Sequence, residues 1–261
     1  MRYGCCISTA EQMAALEQTR ADYAEIPAAR VMGLGDEEFE AFAERFGTGR
    51  TGAHAANVFL PPDINLVGPD TSRERQDEYV HACIGRLARL GVDVLVFGSG
   101  RARNVPEGFG RERALDQLED FMRRAAIEAG RRGITIVLEP LQRAESNVFT
   151  TVGESAEFLR ERRPGGMRLL ADMYHMAADG EPFDVIDECA DLLAHVHVAE
   201  AGSRRAPRAD DQQVCDFLSH LYRVGFSGDC SVECGWEDFG TEIGGAMDNL
   251  RHLARQAGWE A

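Results

Sequence analysis

The sequence predicts a parallel (β/α)8 barrel, and three observations predict it. Short apolar, β-branched runs alternate eight times with amphipathic stretches across 261 residues. That is the rhythm of βαβ units in a parallel sheet, and eight units in roughly 250 residues is the size of a closed barrel. The later runs end in acids or histidines, which a barrel gathers around one point more naturally than an open doubly wound sheet. No stretch rich in Pro, Gly or Ser divides the chain, so residues 1–261 read as one domain with a large core.

Residues 3–8 read as the first strand. Thr9 caps the helix after it, with Gln12 three residues on as in a capping box. Residues 23–26 form the second strand, and Asp36 opens a helix rich in Glu, Phe and Ala. Residues 51–59 are the third strand. The loop 60–71 that follows carries Pro61, Pro62 and Pro69 and has the length of an active-site lid. Ser72 caps a helix reaching Leu90. Residues 92–97 are the fourth strand, followed by a loop with Gly98, Gly100, Pro106 and Gly108 and a helix over 110–131. The fifth strand runs into Glu139, the sixth (167–171) into Asp172, the seventh (from 192) through His195-Val196-His197, and the eighth (230–232) into Glu233. Helices read over 152–162, 182–189, 209–224 and 241–256.

Glu139 stands where its strand stops, because Pro140 cannot donate to a sheet ladder. A buried acid there must be paired, protonated or bound to a metal. Glu, Asp, His and Glu on four successive strand ends suit one divalent ion with mostly oxygen ligands. Two carboxylates on opposite faces of a bound carbon can remove a proton on one side and return it on the other. Asp172 either accepts from its own loop or serves as a ligand, with His175 on a substrate oxygen. His195 and His197 share a face at a period of two, one as ligand and the other as its support or a substrate contact. His81, His220 and His252 fall on helices, and the sequence leaves the direction of His54 open. Gly98-Ser99-Gly100 lacks the third glycine of a dinucleotide loop and reads as a close backbone approach to substrate. Arg101 and Arg103 either hold an anionic group or are surface charges. Trp236 is either a wall for a sugar face or a core residue.

Composition excludes other chemistry. All 28 basic side chains are Arg, so there is no Schiff-base lysine, P-loop lysine or lysine base. A net charge of -16 opposes nucleic acid and anionic membranes as partners. No apolar run approaches the roughly 20 residues of a membrane span. The start of the chain lacks the pattern of a signal peptide, and seven Cys without a CxxC fit reduced thiols; a cytoplasmic protein is the expectation. The sequence leaves a homo-oligomer open.

Leu138-Glu139-Pro140-Leu141 with Glu145, Asp172-x-x-His175, His195-x-His197-x-x-Glu200 and Val232-Glu233 together resemble the sugar isomerase/epimerase superfamily with the xylose isomerase-like barrel. That superfamily includes ketose 3-epimerases, hydroxypyruvate isomerase and inosose dehydratase, with endonuclease IV as a distant relative. The resemblance spans nearly the whole chain. It implies that Glu139 and Glu233 are both metal ligands and acid/base groups, and that Asp172 and His197 complete the site. It also implies that Glu145 and His175 hold the sugar's oxygens. The ion it implies is manganese, with magnesium or cobalt as the other choices. The family's epimerases carry an arginine six residues after the second His; here that position is Ser203, and Arg204 and Arg205 follow. The activity implied is isomerisation or epimerisation of a small ketose or keto-sugar through an enediolate. The alternative at the same site is a carbon–oxygen lyase. An endonuclease IV-like phosphodiesterase is opposed by the seven His and the acidic balance.

Overall fold

The computed structural model describes residues 1–48 and 51–260; Gly49, Arg50 and Ala261, part of the predicted domain, lie outside the described residues. In chain order the elements are β1 (Tyr3–Cys6), α1 (Ala10–Leu16), β2 (Tyr23–Pro27), α2 (Ala28–Gly33), α3 (Asp36–Thr48), β3 (Ala53–Asn57), α4 (Arg73–Arg89), β4 (Val94–Phe97), α5 (Gly100–Arg103), α6 (Arg111–Gly130), β5 (Thr135–Leu138), α7 (Val152–Arg162), β6 (Arg168–Asp172), α8 (Met173–Asp179), α9 (Val185–Cys189), β7 (Leu193–Val198), α10 (Gln212–Arg223), β8 (Asp229–Val232) and α11 (Phe239–Gln256). The strands pair in parallel in sequence order, and β8 closes on β1. The (β/α)8 barrel predicted from the eight alternations is the fold.

The strands are short, nearly all apolar and covered on both faces, as parallel strands require. Period two divides their residues. Leu95, Phe97, Leu138, Ala171, Val196 and Val232 pack outward against the helices. Tyr23, Ala55, Val94, Val96, Val137 and Leu170 fill the interior. Gly4 has no side chain because a Cβ there would overlap the Tyr23 ring. The same alternation turns Glu25, Glu139, Asp172, His195, His197 and Glu233 inward, above that apolar layer.

Capping chemistry sets several helix starts. Thr9 and Gln12 form the predicted capping box of α1, Ser72 caps α4 and Thr151 caps α7. Three short helices, α2, α5 and α8, stand where the sequence suggested loop. Each is too brief to show a helical period, and α8 begins directly at Asp172, whose carboxylate caps it. The loop 60–71 is anchored rather than free-standing as a lid: Ile64, Leu66 and Val67 are buried, Leu66 N–H donates to Ala102 O at 2.8 Å, and Gln117 pairs with the backbone of Gly68.

His54 lies at the opposite end from the strand-end acids. Its Nε2 is 2.7 Å from Asp229 and its Nδ1 3.0 Å from Asp93, while Arg2 donates to Asp229 at 2.8 Å. These residues stand within one residue of the starts of their strands and close the amino-terminal mouth. Among the described residues, no helix is long and apolar enough to cross a membrane.

Candidate active site

At the carboxyl ends of the strands three carboxylates converge on one imidazole. His197 Nδ1 lies 3.3 Å from Glu139 Oε1, 3.7 Å from Asp172 Oδ2 and 3.8 Å from Glu233 Oε2. His175, carried by α8 immediately after β6, brings a ring nitrogen within 4.8 Å of the same three carboxylates. Asp172 accepts from its own loop, one of the two readings of the sequence: Oδ1 accepts the His175 backbone N–H at 3.1 Å, while Oδ2 faces the cluster.

Several polar atoms here are buried without partners. Glu139 Oε1, His175 Nδ1 and His197 Nδ1 have no hydrogen bond. Orphans of this kind cost roughly 1–3 kcal/mol each, and a divalent cation would satisfy Glu139 Oε1 and His197 Nδ1, while a substrate oxygen could reach His175 Nδ1. The donor set of carboxylate oxygens and imidazole nitrogen fits such an ion. The close charges also perturb one another's protonation. Burial disfavours the His197 imidazolium, but Glu25, Glu233, Asp172 and Glu139 outweigh it and hold its pKa well above the ordinary value. Burial, assisted by the charges of Glu139 and Asp172, raises Glu233 to about 7. Asp172 goes the other way, to about 2, because His197 and His175 overcome its burial.

Glu233 is held from two sides. Asn57 Nδ2 donates to Oε1 at 3.1 Å, and Arg204 Nη2 donates to Oε2 at 2.8 Å. The other Arg204 nitrogen lies 3.5 Å from Glu145, and the guanidinium sits over the Tyr174 ring. Of the two arginines after Ser203, Arg204 faces the cluster; Arg205 pairs outward with Glu237. Ser203 hydrogen-bonds Glu200. Beside Glu233 opens a hollow of about 350 Å³, lined among others by Cys6, Asn57, Val58, Arg204 and Trp236. Trp236 lines the hollow and packs edge-on against Phe239, the ring centroids 4.9 Å apart.

Three readings from the sequence need correction. His195 does not face the hollow: it has no exposed surface, and its Nε2 lies 2.9 Å from Glu25, one layer down. Arg103 is neither a surface charge nor an anion clamp. It is fully buried and donates to the carbonyls of Phe97, Glu139 and Phe149, tying the ends of β4 and β5 together, while burial lowers its pKa to about 10. Arg101 is exposed. Gly98 and Gly100 make room for protein rather than substrate, since a Cβ on Gly98 would overlap the Glu139 carboxylate and one on Gly100 would press on Glu145 O and Leu141.

Glu25 escaped the sequence reading. It is fully buried in β2, within hydrogen-bond distance of both His195 and His197, and forms a second close group with His197 and Cys6. Its signal was a lone acid inside the apolar run Tyr23-Ala24-Glu25-Ile26, hidden because the acid is not at a strand end. Burial pushes the Cys6 thiol well up, which disfavours its thiolate.

Comparison with known proteins follows this geometry. The model of the xylose isomerase-like TIM barrel family matches residues 12–256. Among curated proteins, the chain is 28% identical over 93 residues to 3-dehydro-D-guloside 4-epimerase of Escherichia coli, covering 34% of this chain and 36% of that one. It is 31% identical over 107 residues to ketose 3-epimerase of Arthrobacter globiformis, covering 40% of this chain and 36% of that one. These matches thus span little more than a third of either relative. The fold superposes on D-psicose 3-epimerase of Clostridium cellulolyticum, solved with D-tagatose, at a TM-score of 0.82 and 17% identity, covering 97% of this chain and 99% of that one.

Proposed function

The chain belongs to the xylose isomerase-like TIM barrel family, and from that premise we propose that it is a metal-dependent isomerase or epimerase of a small ketose or keto-sugar, working by proton transfer between carboxylates. The observation that carries this is the meeting of Glu139, Asp172 and Glu233 around His197 Nδ1, with buried polar atoms left unpartnered. Glu139, Asp172, His197 and Glu233 would hold one divalent ion, manganese as the first choice and magnesium or cobalt next. When bound, such an ion polarises a substrate carbonyl and its neighbouring hydroxyl. The relatives named as epimerases of ketoses and of a keto-glycoside support the substrate class.

In this reading Glu139 and Glu233 exchange a proton with the carbon beside the carbonyl, one from each side. Asn57 and Arg204 fix the Glu233 carboxylate from two sides, which sets the direction in which it meets the substrate carbon. Glu145 and His175 orient the substrate oxygens in this reading, and Trp236 offers an apolar face. Arg204 is the sole cation lining the hollow among the described residues, and two carboxylates already engage it, which favours a neutral sugar over a phosphodiester. Seven cysteines, all free, support a reducing, cytoplasmic setting.

The test combines metal content with exchange. Protein purified without chelator should carry one divalent ion per chain by elemental analysis. Incubated in heavy water with a panel of ketoses and keto-sugars, it should exchange the hydrogen beside the carbonyl of its substrate, and product analysis separates epimerisation or isomerisation from β-elimination. Glu139→Gln and Glu233→Gln should abolish or greatly slow turnover. Full retention of that hydrogen through turnover, or near-normal activity in either variant, would overturn the carboxylate mechanism.

A further inference from the structure

One carboxylate serves two imidazoles beneath the converging acids. Glu25 Oε1 lies 2.9 Å from His197 Nε2, and Glu25 Oε2 lies 2.9 Å from His195 Nε2. Ser231 Oγ donates to Oε2 at 2.6 Å, and Tyr23 OH stands 2.8 Å behind Ser231. Glu25, His195, His197 and Ser231 have no exposed surface, so bulk solvent does not reach this arrangement.

A carboxylate offers only acceptors, so each Nε2 facing it at this distance carries the proton. An imidazole that binds an ion must be neutral, and a neutral imidazole has one N–H. With that proton on Nε2, Nδ1 is left with a lone pair, and in His197 Nδ1 is the atom that faces Glu139, Asp172 and Glu233. The opposite tautomer would aim an N–H at the place of the ion.

We propose that Glu25 is a positioning residue that holds His197 in its Nε2-protonated tautomer and thereby makes Nδ1 a ligand atom. The proposal rests on the ion-binding reading above. It assigns a role to a residue outside the four proposed ligands. It also explains why an acid is kept where a strand interior would ordinarily be apolar: both oxygens are occupied by donors, and no arginine hydrogen-bonds to them among the described residues.

Glu25→Gln separates this from simple packing. The amide has nearly the same shape but only one acceptor oxygen. Its NH2 must face one of the two imidazoles, which must then present Nε2 as a lone pair and move its proton to Nδ1. Ser231 donates on the His195 side, so the amide oxygen belongs there and the NH2 falls on His197. Mn²⁺ affinity, read by electron paramagnetic resonance of the free ion, should weaken about 10–100-fold, the usual effect of losing a partner behind a metal-bound histidine. His195→Gln leaves the Glu25–His197 pair intact and should weaken it far less. In the Mg²⁺-loaded wild-type protein, ¹⁵N spectra should show His197 protonated at Nε2 alone.

Wild-type Mn²⁺ affinity in a folded Glu25→Gln variant, or a His197 proton on Nδ1 in the loaded wild type, would overturn the proposal while leaving the ion-binding reading standing. Failure of the wild type to bind any divalent ion would overturn that reading first. If Glu25→Gln does not fold, the wild-type tautomer decides alone.

Discussion

Arg204 shows how much one side chain settles at this site. Its fork donates to Glu233 at 2.8 Å and approaches Glu145 at 3.5 Å, so it joins an acid beside the ion position to one placed for the substrate. Its backbone sits at φ 52, a costly conformation for a residue with a Cβ, held by the turn in which Arg204 N–H donates to Glu200 O and Arg204 O accepts from Gly235. Arg204→Ala should lower kcat/KM by about 10²–10³-fold, the scale for an electrostatic group beside the reacting atoms, with ion content unchanged. Arg204→Lys should rescue little, because a single ammonium cannot reproduce the fork. Steady-state kinetics with metal analysis checks both, and turnover within twofold of wild type would show that Arg204 is only a surface tie.

At the scale of elements, the site is built by what happens just after each strand. Four non-glycine residues with positive φ, Val58, Ser99, Phe149 and Arg204, lie in loops that leave the carboxyl ends of β3, β4, β5 and β7. The loop after β4 turns through Gly98, which brings backbone against the Glu139 carboxylate. Gly98→Ala should leave the barrel folded but displace the Glu139 carboxylate, because the added Cβ would overlap Oε2. The variant should melt within a few degrees of wild type yet bind Mn²⁺ at least tenfold more weakly, a penalty of about 1.4 kcal/mol. Calorimetry with a metal titration reads both, and unchanged affinity would show that the carboxylate has room to move. The longer helices were legible because caps and a helical period are local signals. The helices α2, α5 and α8 were not, since 4–7 residues show no period.

For the whole molecule the two ends of the barrel divide the work. The carboxyl end leaves polar atoms unpartnered, whereas the amino end closes with the neutralising set Arg2, His54, Asp93 and Asp229. Burial raises the Asp229 pKa, but hydrogen bonds from His54 and Arg2 outweigh it and hold it well below the ordinary range. A carboxylate depressed in the folded state adds stability that is complete above its unfolded value, near 3.9, and is lost as pH falls through the folded value. Asp229→Asn should therefore cost about 1–3 kcal/mol at pH 7, with the gap to wild type shrinking steadily below about pH 4. Urea unfolding at pH 7 and pH 3 measures it, and a gap independent of pH would remove this account of Asp229.

The alternation of apolar runs and amphipathic helices was enough to specify the barrel, because each βαβ unit is local and its handedness leaves one way to close. The same alternation places Glu139, Asp172, His197 and Glu233 at strand ends, each readable from its own few neighbours. What the sequence could not show is which atoms meet. Glu25 and His197 are 172 positions apart and touch only because eight strands close. His195 reads like His197 until the inward layers separate, and Arg103 reads as a surface charge until three carbonyls surround it. Propensity and period act over a few residues, whereas the direction of a buried polar group depends on partners that only closure brings within 3 Å or so.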